Sequence, residues 1–374
     1  MPKHIVPTAL ALAATVVLAA CGGSRTAAHA VAGPAPDARA TAAAAMPVPV
    51  VKEAFLSAMT PEDNIDSLAA WRAPDGATWV FGTAKSTHRL VVYDGDTGET
   101  LRTVGREGSR AGEFKRPNGI FVIDDLLFVV ERDNRRVQAL TLPALEPAGH
   151  FGSEDLVLPY GIWMHAADGG YELYVTDAYM AGEDGEGEDI PPPLAELDQR
   201  VKRFRIDRDD IGAGTFTGAF GDTGEEGALR VVESLWGDPA SGRLLVAEED
   251  EAWANEFKVY GLDGSYRDQV FGGDVLDAQA EGIALYACGA GGWWITTAQA
   301  SDVTTFHLFE RESLAHVGAF RGGMVANTDG IWLQQAGTRA FPQGAFYAVH
   351  DDQGLVAFDW RDIAGALGLP DCAG

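Results

Sequence analysis

The sequence has few basic residues for its length. Its 374 residues include 28 lysines and arginines against 55 aspartates and glutamates, which gives a formal charge of −27 at pH 7. A surface with this charge repels nucleic acid and anionic lipid, because both are polyanions. The composition therefore argues against a nucleic-acid partner and favours cations, or substrates that cations bridge to the protein.

Cysteine is also scarce, with Cys21, Cys288 and Cys372 as the three residues of this type. Cysteines and histidines do not stand at the spacings of zinc sites, and no Gly-Lys loop of the kind that holds nucleotide phosphates occurs. No histidine stands in a recognisable nucleophile triad. Cys288 and Cys372 could pair in an oxidising compartment, although nothing in the sequence shows that they meet. The candidate chemistry therefore rests on carboxylates.

One apolar run stands out, at the N-terminus. Residues 1–20 carry Lys3 ahead of a run that is short for a membrane span and ends in small residues, as signal peptides do. The tetrad Leu-Ala-Ala-Cys ending at Cys21 resembles a bacterial lipobox, which would make Cys21 lipidated; a plain signal peptide with a chance cysteine is the alternative. Residues 21–49 have the composition of a flexible tether. We expect an exported lipoprotein, periplasmic, outer-membrane anchored or at the cell surface, that meets the membrane only through its lipid.

A short motif recurs along the rest of the chain, namely a polar residue, a small residue and an aliphatic one. It occurs at Asn118-Gly119-Ile120, Tyr160-Gly161-Ile162, Glu233-Ser234-Leu235, Glu281-Gly282-Ile283 and Asp329-Gly330-Ile331. A related unit begins at Asp66, and the longest interval contains an acidic, Pro-rich insertion at 181–198. Each motif is followed by a second apolar segment with a polar end and by a third, aromatic or branched one. Six units of about 40 to 50 residues match propeller blades, so residues 50–374 are predicted to form an all-β, six-bladed β-propeller.

The stretch from Glu233 to Asp250 indicates what such units could bind. Its first strand begins at an acidic residue, and its second strand ends in Glu248, Glu249 and Asp250. If the two strands form a hairpin, these carboxylates converge at one rim of the sheet. Clustered carboxylates are unfavourable without a cation, and hard oxygen ligands suit Ca²⁺. A single acidic turn is more often a solvated loop, but the recurrence of the hairpin favours a calcium site.

Propeller geometry gathers the polar ends of all six units. The starts of first strands and the ends of second strands lie on one face, around the central channel. The residues expected there are Asp66, Lys85, Arg132, Asp133, Tyr160, Asp177, Glu233, Glu248, Glu249, Asp250, Glu281, Gln299, Asp329, His350 and Asp351. Ca²⁺ would bridge carboxylates to a phosphate, while Arg132 offers a bidentate fork and Lys85 a point charge. The alternative is a channel mouth braced by salt bridges.

Several segments between residues 63 and 367 together resemble the β-propeller phytases, calcium-dependent six-bladed phosphatases that hydrolyse inositol hexakisphosphate. The segment 66–71, Asp-Ser-Leu-Ala-Ala-Trp, resembles the Asp-Asp-Pro-Ala-Ile-Trp signature of that family, and 233–250 matches the family best. The resemblance implies that Lys85 and Arg132 bind substrate phosphate, with Tyr160 beside the metals. The calcium ligands that it implies are Asp66, Glu233, Glu249, Glu281, Gln299 and Asp329.

The chain also departs from that family pattern. Ser67 replaces the second Asp of the signature, and Ile120 stands where a calcium-binding Asp is expected. Ala178 stands nearest the position of an expected phosphate-binding Lys. Fewer ligands and one fewer cation imply weaker binding at part of the site, or a changed substrate.

The resemblance implies a monomeric, calcium-dependent phosphomonoester hydrolase that releases phosphate from a phytate-like ester by direct attack of water. The alternative is a non-catalytic propeller that binds a ligand or a protein, because segments 104–120 and 150–162 also resemble NHL-type repeats. A lactonase-like propeller with one central metal would need fewer converging carboxylates.

Overall fold

The computed structural model describes residues 47–187, 189–250 and 252–371. The predicted signal peptide, the lipidation site Cys21 and most of the tether lie outside these residues, so they stay predictions. Cys288 is disulfide-bonded, and its possible partners Cys21 and Cys372 both lie outside the described residues. Pairing with Cys372 therefore stays open.

Six four-stranded antiparallel sheets confirm the predicted six-bladed β-propeller. Blade 1 consists of β2 (Ile65–Arg72), β3 (Thr78–Ala84), β4 (Arg89–Asp94) and β5 (Thr100–Val104). Blade 2 consists of β6 (Pro117–Ile123), β7 (Leu126–Glu131), β8 (Arg136–Thr141) and β9 (Glu146–Phe151). Blade 3 consists of β10 (Pro159–Ala167), β11 (Gly170–Asp177), β14 (Val201–Asp207) and β15 (Asp210–Phe220). Blade 4 consists of β16 (Leu235–Asp238), β17 (Arg243–Glu248), β18 (Glu256–Gly261) and β19 (Tyr266–Phe271). Blade 5 consists of β20 (Gln279–Cys288), β21 (Gly291–Gln299), β22 (Thr305–Glu310) and β23 (His316–Arg321).

Blade 6 closes the ring with a strand from the start of the domain. It consists of β24 (Ile331–Gln334), β25 (Ala345–His350), β26 (Gly354–Asp359) and β1 (Phe55–Leu56). The pairs Phe55↔Ala357 and Leu56↔Val356 join β1 to β26. The inner strand of each blade contacts the next, and β2 contacts β24, so the six blades surround one axis. This pairing covers the backbone groups of β26, which would otherwise form the outer edge of a three-stranded blade.

The remaining elements are small. The acidic insertion contains a two-stranded hairpin, β12 (Gly182–Glu183) and β13 (Asp189–Ile190), and a 3₁₀ helix (Leu194–Glu196). Helix α1 (Trp360–Leu367) begins at the N-cap Asp359, and its Trp360 stacks on Tyr286 of blade 5 with ring centroids 4.1 Å apart. The described part of the chain has no helix with the length and hydrophobicity of a membrane span.

The fourth strand of each blade was not evident in the sequence pattern. In β5 the first four residues are exposed, and in β9 only the last residue is buried. A strand at the rim of a propeller packs one face weakly, so its sequence lacks the apolar alternation that marks inner strands. The inner three strands of each blade carry the buried residues that the repeat made visible.

A β-bulge explains the polar-small-aliphatic motif. In four inner strands the pairing shifts at the motif, between Ile65/Leu68, Pro117/Ile120, Pro159/Ile162 and Ala280/Ile283. In blades 4 and 6 the inner strand begins just after the motif's small residue. The polar residue is thus released from strand pairing, which lets its side chain turn towards the channel mouth.

The small residue of the motif is required by close backbone approach. A Cβ atom at Gly161 would lie 2.0 Å from the carbonyl oxygen of Glu233, and one at Gly330 would lie 2.4 Å from that of Asp66. Both distances are far inside van der Waals contact. The small residue of the motif is therefore needed because one inner strand packs closely against the next.

Candidate metal centre

Six polar residues form a ring around one end of the central channel. We call them the ring positions: Asp66, Asn118, Tyr160, Glu233, Glu281 and Asp329. The small and aliphatic residues that follow them line the central channel. Equivalent positions of six blades thus meet although they are far apart in sequence.

Three aromatic rings lie across the channel beyond the small and aliphatic residues. Phe121, Trp236 and Trp332 come from alternate blades, and their ring centroids lie 5.3 to 5.5 Å apart in every pair. A ligand of the ring positions must therefore approach from the carboxylate end.

A second set of side chains reaches the ring from the ends of the second strands. In four blades the residue after the second strand donates its backbone N–H to the carbonyl two residues before the ring position, at 2.9 to 3.1 Å. These second-strand positions are Lys85, Arg132, Ala178 and Glu249. Ala178 is therefore the structural equivalent of Lys85, and blade 3 supplies no cation there.

Three carboxylates form the tightest part of the cluster. One oxygen each of Glu233, Glu249 and Glu281 lie within 4.8 Å of one another. Glu249 and Glu281 are only 3% and 4% exposed. The backbone N–H of Ser234 donates to Glu249 Oε1 at 3.1 Å, which holds that carboxylate in place. Three converging oxygens at this separation are the donor set of a hard divalent cation.

The carboxylates of the cluster resist ionisation. Burial, assisted by the charge of Asp66, raises the pKa of Glu233 to about 7. Burial and the neighbouring carboxylates also raise the pKa values of Glu249, Glu281 and Asp329 well above their usual range. Like charges in a poorly solvated site cannot all be ionised at neutral pH unless a cation compensates them.

Lys85 supplies the positive charge of the site. Its Nζ lies 2.8 Å from Asp66 Oδ1 and 3.9 Å from Asp329 Oδ2, and it donates to Tyr160 Oη at 3.4 Å. Burial alone would lower the pKa of Lys85, but Asp66 and Asp329 outweigh burial and raise it, so the ammonium stays charged. Tyr160 Oη donates to Asp66 Oδ1 at 3.1 Å, and burial and the carboxylates hold its pKa well above the usual value. Tyr160 is therefore a neutral donor.

Two more candidate residues differ in their placement. Gln299 joins the cluster, because its Nε2 donates to Asp329 Oδ1. Arg132 occupies a second-strand position, but its Nε bonds Asp133 Oδ1 at 2.9 Å. Within the described residues, no hydrogen bond or ion pair connects Arg132 to the carboxylates of the ring positions or to Glu249.

Ser67 stands where the family signature has a second Asp. Its Oγ donates to Asp66 Oδ2 at 2.9 Å, so Ser67 orients a candidate ligand and does not itself replace the lost carboxylate.

Two acidic residues expected on this face have structural roles. Asp177 accepts the backbone N–H groups of Val157 and Leu158 at 3.0 and 2.6 Å. Glu248 accepts those of Arg230 and Val231 at 3.0 and 3.1 Å. Both carboxylates are fully buried, and each holds in place by hydrogen bonds the segment that leads into the inner strand of its own blade.

Sequence reasoning missed three residues of the site. Asn118 is a ring position that was not chosen as a ligand. Arg116, two residues before it, lowers the pKa of Glu233 by its charge. Burial raises the pKa of Asp352, and the charge of Asp352 helps to raise the pKa of Asp329. Equal weighting of all six ring positions would have found Asn118, whereas no signal in the sequence pointed to Arg116 or Asp352.

Asn118 is unusual because it is fully buried and neither polar atom of its side chain has a hydrogen-bond partner among the described residues. An unsatisfied buried amide costs about 1–3 kcal/mol. We therefore expect Asn118→Leu to raise the free energy of unfolding by about 1–2 kcal/mol in chelator, since the amide is removed with little change of shape. Calorimetric titration of the same variant should show weaker Ca²⁺ binding, because a ring oxygen is lost.

Gln138→Leu is the matched control. The side chain of Gln138 is also fully buried but accepts from Gly112 and donates to Glu113 and Glu131. Its replacement should lower stability and leave Ca²⁺ affinity unchanged. Loss of stability in Asn118→Leu would show that the amide is satisfied after all.

Comparison with known proteins adds nothing on function. No protein-family model matches the chain, and no curated protein is significantly similar to it. Among solved structures, Kuenenia stuttgartiensis hydrazine synthase is 12% identical with a TM-score of 0.48, over 84% of this chain and 82% of that one. A nidogen/laminin complex is 14% identical with a TM-score of 0.43, over 70% and 81% of the two chains. At these identities the site alone carries the functional argument.

Proposed function

We propose that the protein is a calcium-dependent phosphomonoester hydrolase of the phytase type that works at the ring positions. The observation that carries the proposal is the trio of the half-buried Glu233 and the buried Glu249 and Glu281, whose oxygens converge within 4.8 Å beside the charged Lys85. A cation-binding cluster with an adjacent ammonium suits a ligand that is itself anionic.

The donor set fits Ca²⁺ better than a softer metal. The cluster offers carboxylate oxygens from Glu233, Glu249 and Glu281, and Asn118, whose buried amide has no partner among the described residues, occupies the equivalent position of blade 2. Ca²⁺ takes six to eight oxygen ligands and tolerates irregular geometry, whereas zinc and copper prefer nitrogen and sulfur. Several clustered carboxylates with raised pKa values favour divalent ions that restore their ionisation.

In the proposed reaction, the cation and the protein side chains would have different roles. Bound Ca²⁺ would neutralise phosphate oxygens and lower the pKa of a coordinated water. Lys85, held charged by Asp66, would stabilise charge on the transferring phosphoryl group. Tyr160, neutral and hydrogen-bonded to Asp66, would fix the orientation of that carboxylate. No serine, cysteine or histidine nucleophile is required.

A basic sector beside the cluster supports a substrate with several phosphates. Arg106, Arg110 and Lys115 lie on the loop that enters the inner strand of blade 2, and Arg132 and Arg135 lie on the loop after its second strand. Both loops are at the channel-mouth end by propeller geometry. The same loops carry Glu107, Glu113 and Asp133, and Arg106 and Arg110 pair with Glu113. Six basic residues against three acidic ones still leave these loops positive in a chain with a net charge of −27, so a polyanion would bind here.

One observation favours a second candidate, the non-catalytic binding propeller. Lys85 is bonded to Asp66, Arg132 is bonded to Asp133, and blade 3 offers Ala178 at the equivalent position. The two cations are thus engaged with the protein's own carboxylates. On this second proposal the site binds Ca²⁺ and a partner without turnover.

Phosphate release separates the two candidates. The protein is treated with chelator, dialysed and assayed with phytate and with p-nitrophenyl phosphate, with and without added Ca²⁺. We expect release only with Ca²⁺ and faster release from phytate, because the basic sector holds additional phosphates. Calcium binding by calorimetry without release from either ester would reject the hydrolase and support the binding propeller.

A further inference from the structure

Arg116 is a cation at the channel mouth that no carboxylate holds. It stands two residues before the ring position Asn118, on the loop that enters the inner strand of blade 2. Its side chain is half-buried and takes part in no hydrogen bond or ion pair within the described residues, and its Nε atom is buried without a partner. The cations at second-strand positions, Lys85 and Arg132, are each bonded to a carboxylate. Arg116 therefore has donors that remain available to a ligand.

The backbone of Arg116 is held on both sides. Its N–H donates to His88 Nδ1 at 2.9 Å, and its carbonyl oxygen accepts the N–H of Arg132 at 3.0 Å. Pro117 follows it, and the proline ring fixes one further backbone dihedral angle. The side chain of Arg116 thus starts from a defined place at the channel mouth.

Arg116 adopts a backbone conformation that suits another type of residue. Its φ is 49°, in the left-handed region, where asparagine is enriched and most other residues are uncommon. The equivalent positions of blades 1 and 6 have φ of 50° and 47°, and they are Asn64 and Asn327. Blade 2 therefore has an arginine where the other two blades have the residue that this backbone favours. Strain of this kind persists at functional sites, where the side chain is needed.

The charge of Arg116 acts on a carboxylate of another blade. Glu233 stands at the ring position of blade 4, whereas Arg116 belongs to blade 2. Burial raises the pKa of Glu233, and the charge of Arg116 is one of the effects that oppose it. An opposite charge has such an effect only at short range. The guanidinium and the carboxylate cluster therefore belong to one site.

We propose that Arg116 donates hydrogen bonds to the substrate phosphate that the carboxylate cluster holds through its cation. This inference rests on the proposed function and adds a substrate-binding residue to it. A guanidinium presents paired N–H donors that match two phosphate oxygens, which an ammonium cannot do. Blade 3 has Ala178 at the position that Lys85 occupies in blade 1. Arg116 would thus supply, from a different position of blade 2, a positive charge that blade 3 lacks.

Calorimetric titration with methylphosphonate tests the proposal on full-length protein saturated with Ca²⁺. This probe has a phosphate-like head group without an ester bond, so binding is measured without turnover. We expect its affinity to be at least about tenfold weaker in Arg116→Asn, because a charge-assisted pair of hydrogen bonds is lost. The variant should fold, since asparagine occupies the equivalent left-handed positions of blades 1 and 6, and its thermal unfolding is measured alongside.

The calcium affinity of the same variant separates a contact with the ligand from a structural role. Arg116→Asn should bind Ca²⁺ at least as tightly as the wild type, because it removes a positive charge beside the cluster. A variant that disturbs the loop would instead weaken both affinities. Equal losses of Ca²⁺ and methylphosphonate affinity would therefore overturn the proposed contact.

Two further variants complete the comparison. Arg72→Gln removes an equal charge from the exposed far end of the inner strand of blade 1, and it should bind methylphosphonate within about twofold of the wild type. Arg116→Lys keeps the charge but loses the paired donors, so its affinity should lie between those of the wild type and Arg116→Asn.

The outcomes distinguish this inference from the proposed function. Equal methylphosphonate affinity in the wild type and Arg116→Asn would overturn the inference, whether or not esters are hydrolysed. A wild type that binds no methylphosphonate would also overturn it. Binding that depends on Arg116 without hydrolysis of any ester would support the contact and reject the hydrolase.

Discussion

Glu249→Gln is expected to reduce calcium-dependent phosphate release at least about 100-fold at limiting Ca²⁺, because it removes a charged ligand of the cation on which the reaction depends. Glu249 is nearly fully buried and supplies one of the three converging oxygens. Glutamine keeps the shape and can still accept from the backbone of Ser234, but it removes the charge that draws a divalent ion. The measurement is steady-state phosphate release over a range of Ca²⁺ concentrations.

Asp268→Asn is the matched control for this variant. Asp268 is an exposed carboxylate on β19 of the same blade, and its positive φ of 51° is tolerated by asparagine. It removes one negative charge without touching the channel, so activity and calcium dependence should stay at the wild-type level. Wild-type activity in Glu249→Gln would contradict the proposed role of the cluster.

In chelator, the protein is expected to lose stability as the pH rises from about 5 to about 8. The pKa of Glu233 is about 7 in the folded state against an ordinary value of 4.5, so the folded state binds more protons in this window. Stability therefore falls as the pH rises through the unfolded and then the folded pKa. Glu249, Glu281 and Asp329 act in the same direction, because their pKa values are also raised.

Calcium should reverse this loss. A ligand at about 100 times its dissociation constant adds about 2.7 kcal/mol to the free energy of unfolding. In a domain of this size that raises Tm by about 4 °C. The increase should be greatest near pH 8, where the uncompensated carboxylates are most ionised. Differential scanning calorimetry at several pH values, in chelator and in Ca²⁺, measures both effects.

Glu233→Gln is the variant that isolates the cause. It should be more stable than the wild type in chelator at about pH 8 and should show a smaller pH slope. It should also gain less from Ca²⁺. A wild-type Tm that is unchanged by Ca²⁺ at every pH would rule out cation binding at the cluster, whatever the phosphatase assay shows.

Much of the fold could be predicted because the propeller repeats one local constraint. The inner strand of each blade passes so close to the next that only a small residue fits, as at Gly161 and Gly330. The same bulge frees the preceding polar residue from strand pairing. The motif therefore predicted the inner strands without knowledge of what the polar residues bind. The outer strands could not be predicted, because their exposed residues lack the apolar alternation that marks the inner ones.

The candidate site was predicted in part, and the errors have a common origin. Most chosen residues occupy ring or second-strand positions, since equivalent positions of a closed ring must converge. The backbone of Arg132 occupies a second-strand position as expected, but its side chain forms an ion pair with Asp133. Asn118 was not chosen because the family resemblance placed the expected ligand of this segment at Ile120, although the buried and unsatisfied amide of Asn118 distinguishes it.

The sequence by itself determined the six equivalent segments, their closure into one channel and the identity of the polar residue that each segment places at the mouth. Only the tertiary structure decided the role of each carboxylate. Asp177 and Glu248 accept hydrogen bonds from loop backbone, whereas oxygens of Glu233 and Glu281 converge in the cluster. It also decided that Lys85 stays charged while its acidic neighbours resist ionisation. The physical reason is that protonation depends on burial and on distances between charges, and these are set by residues that lie far apart in the chain.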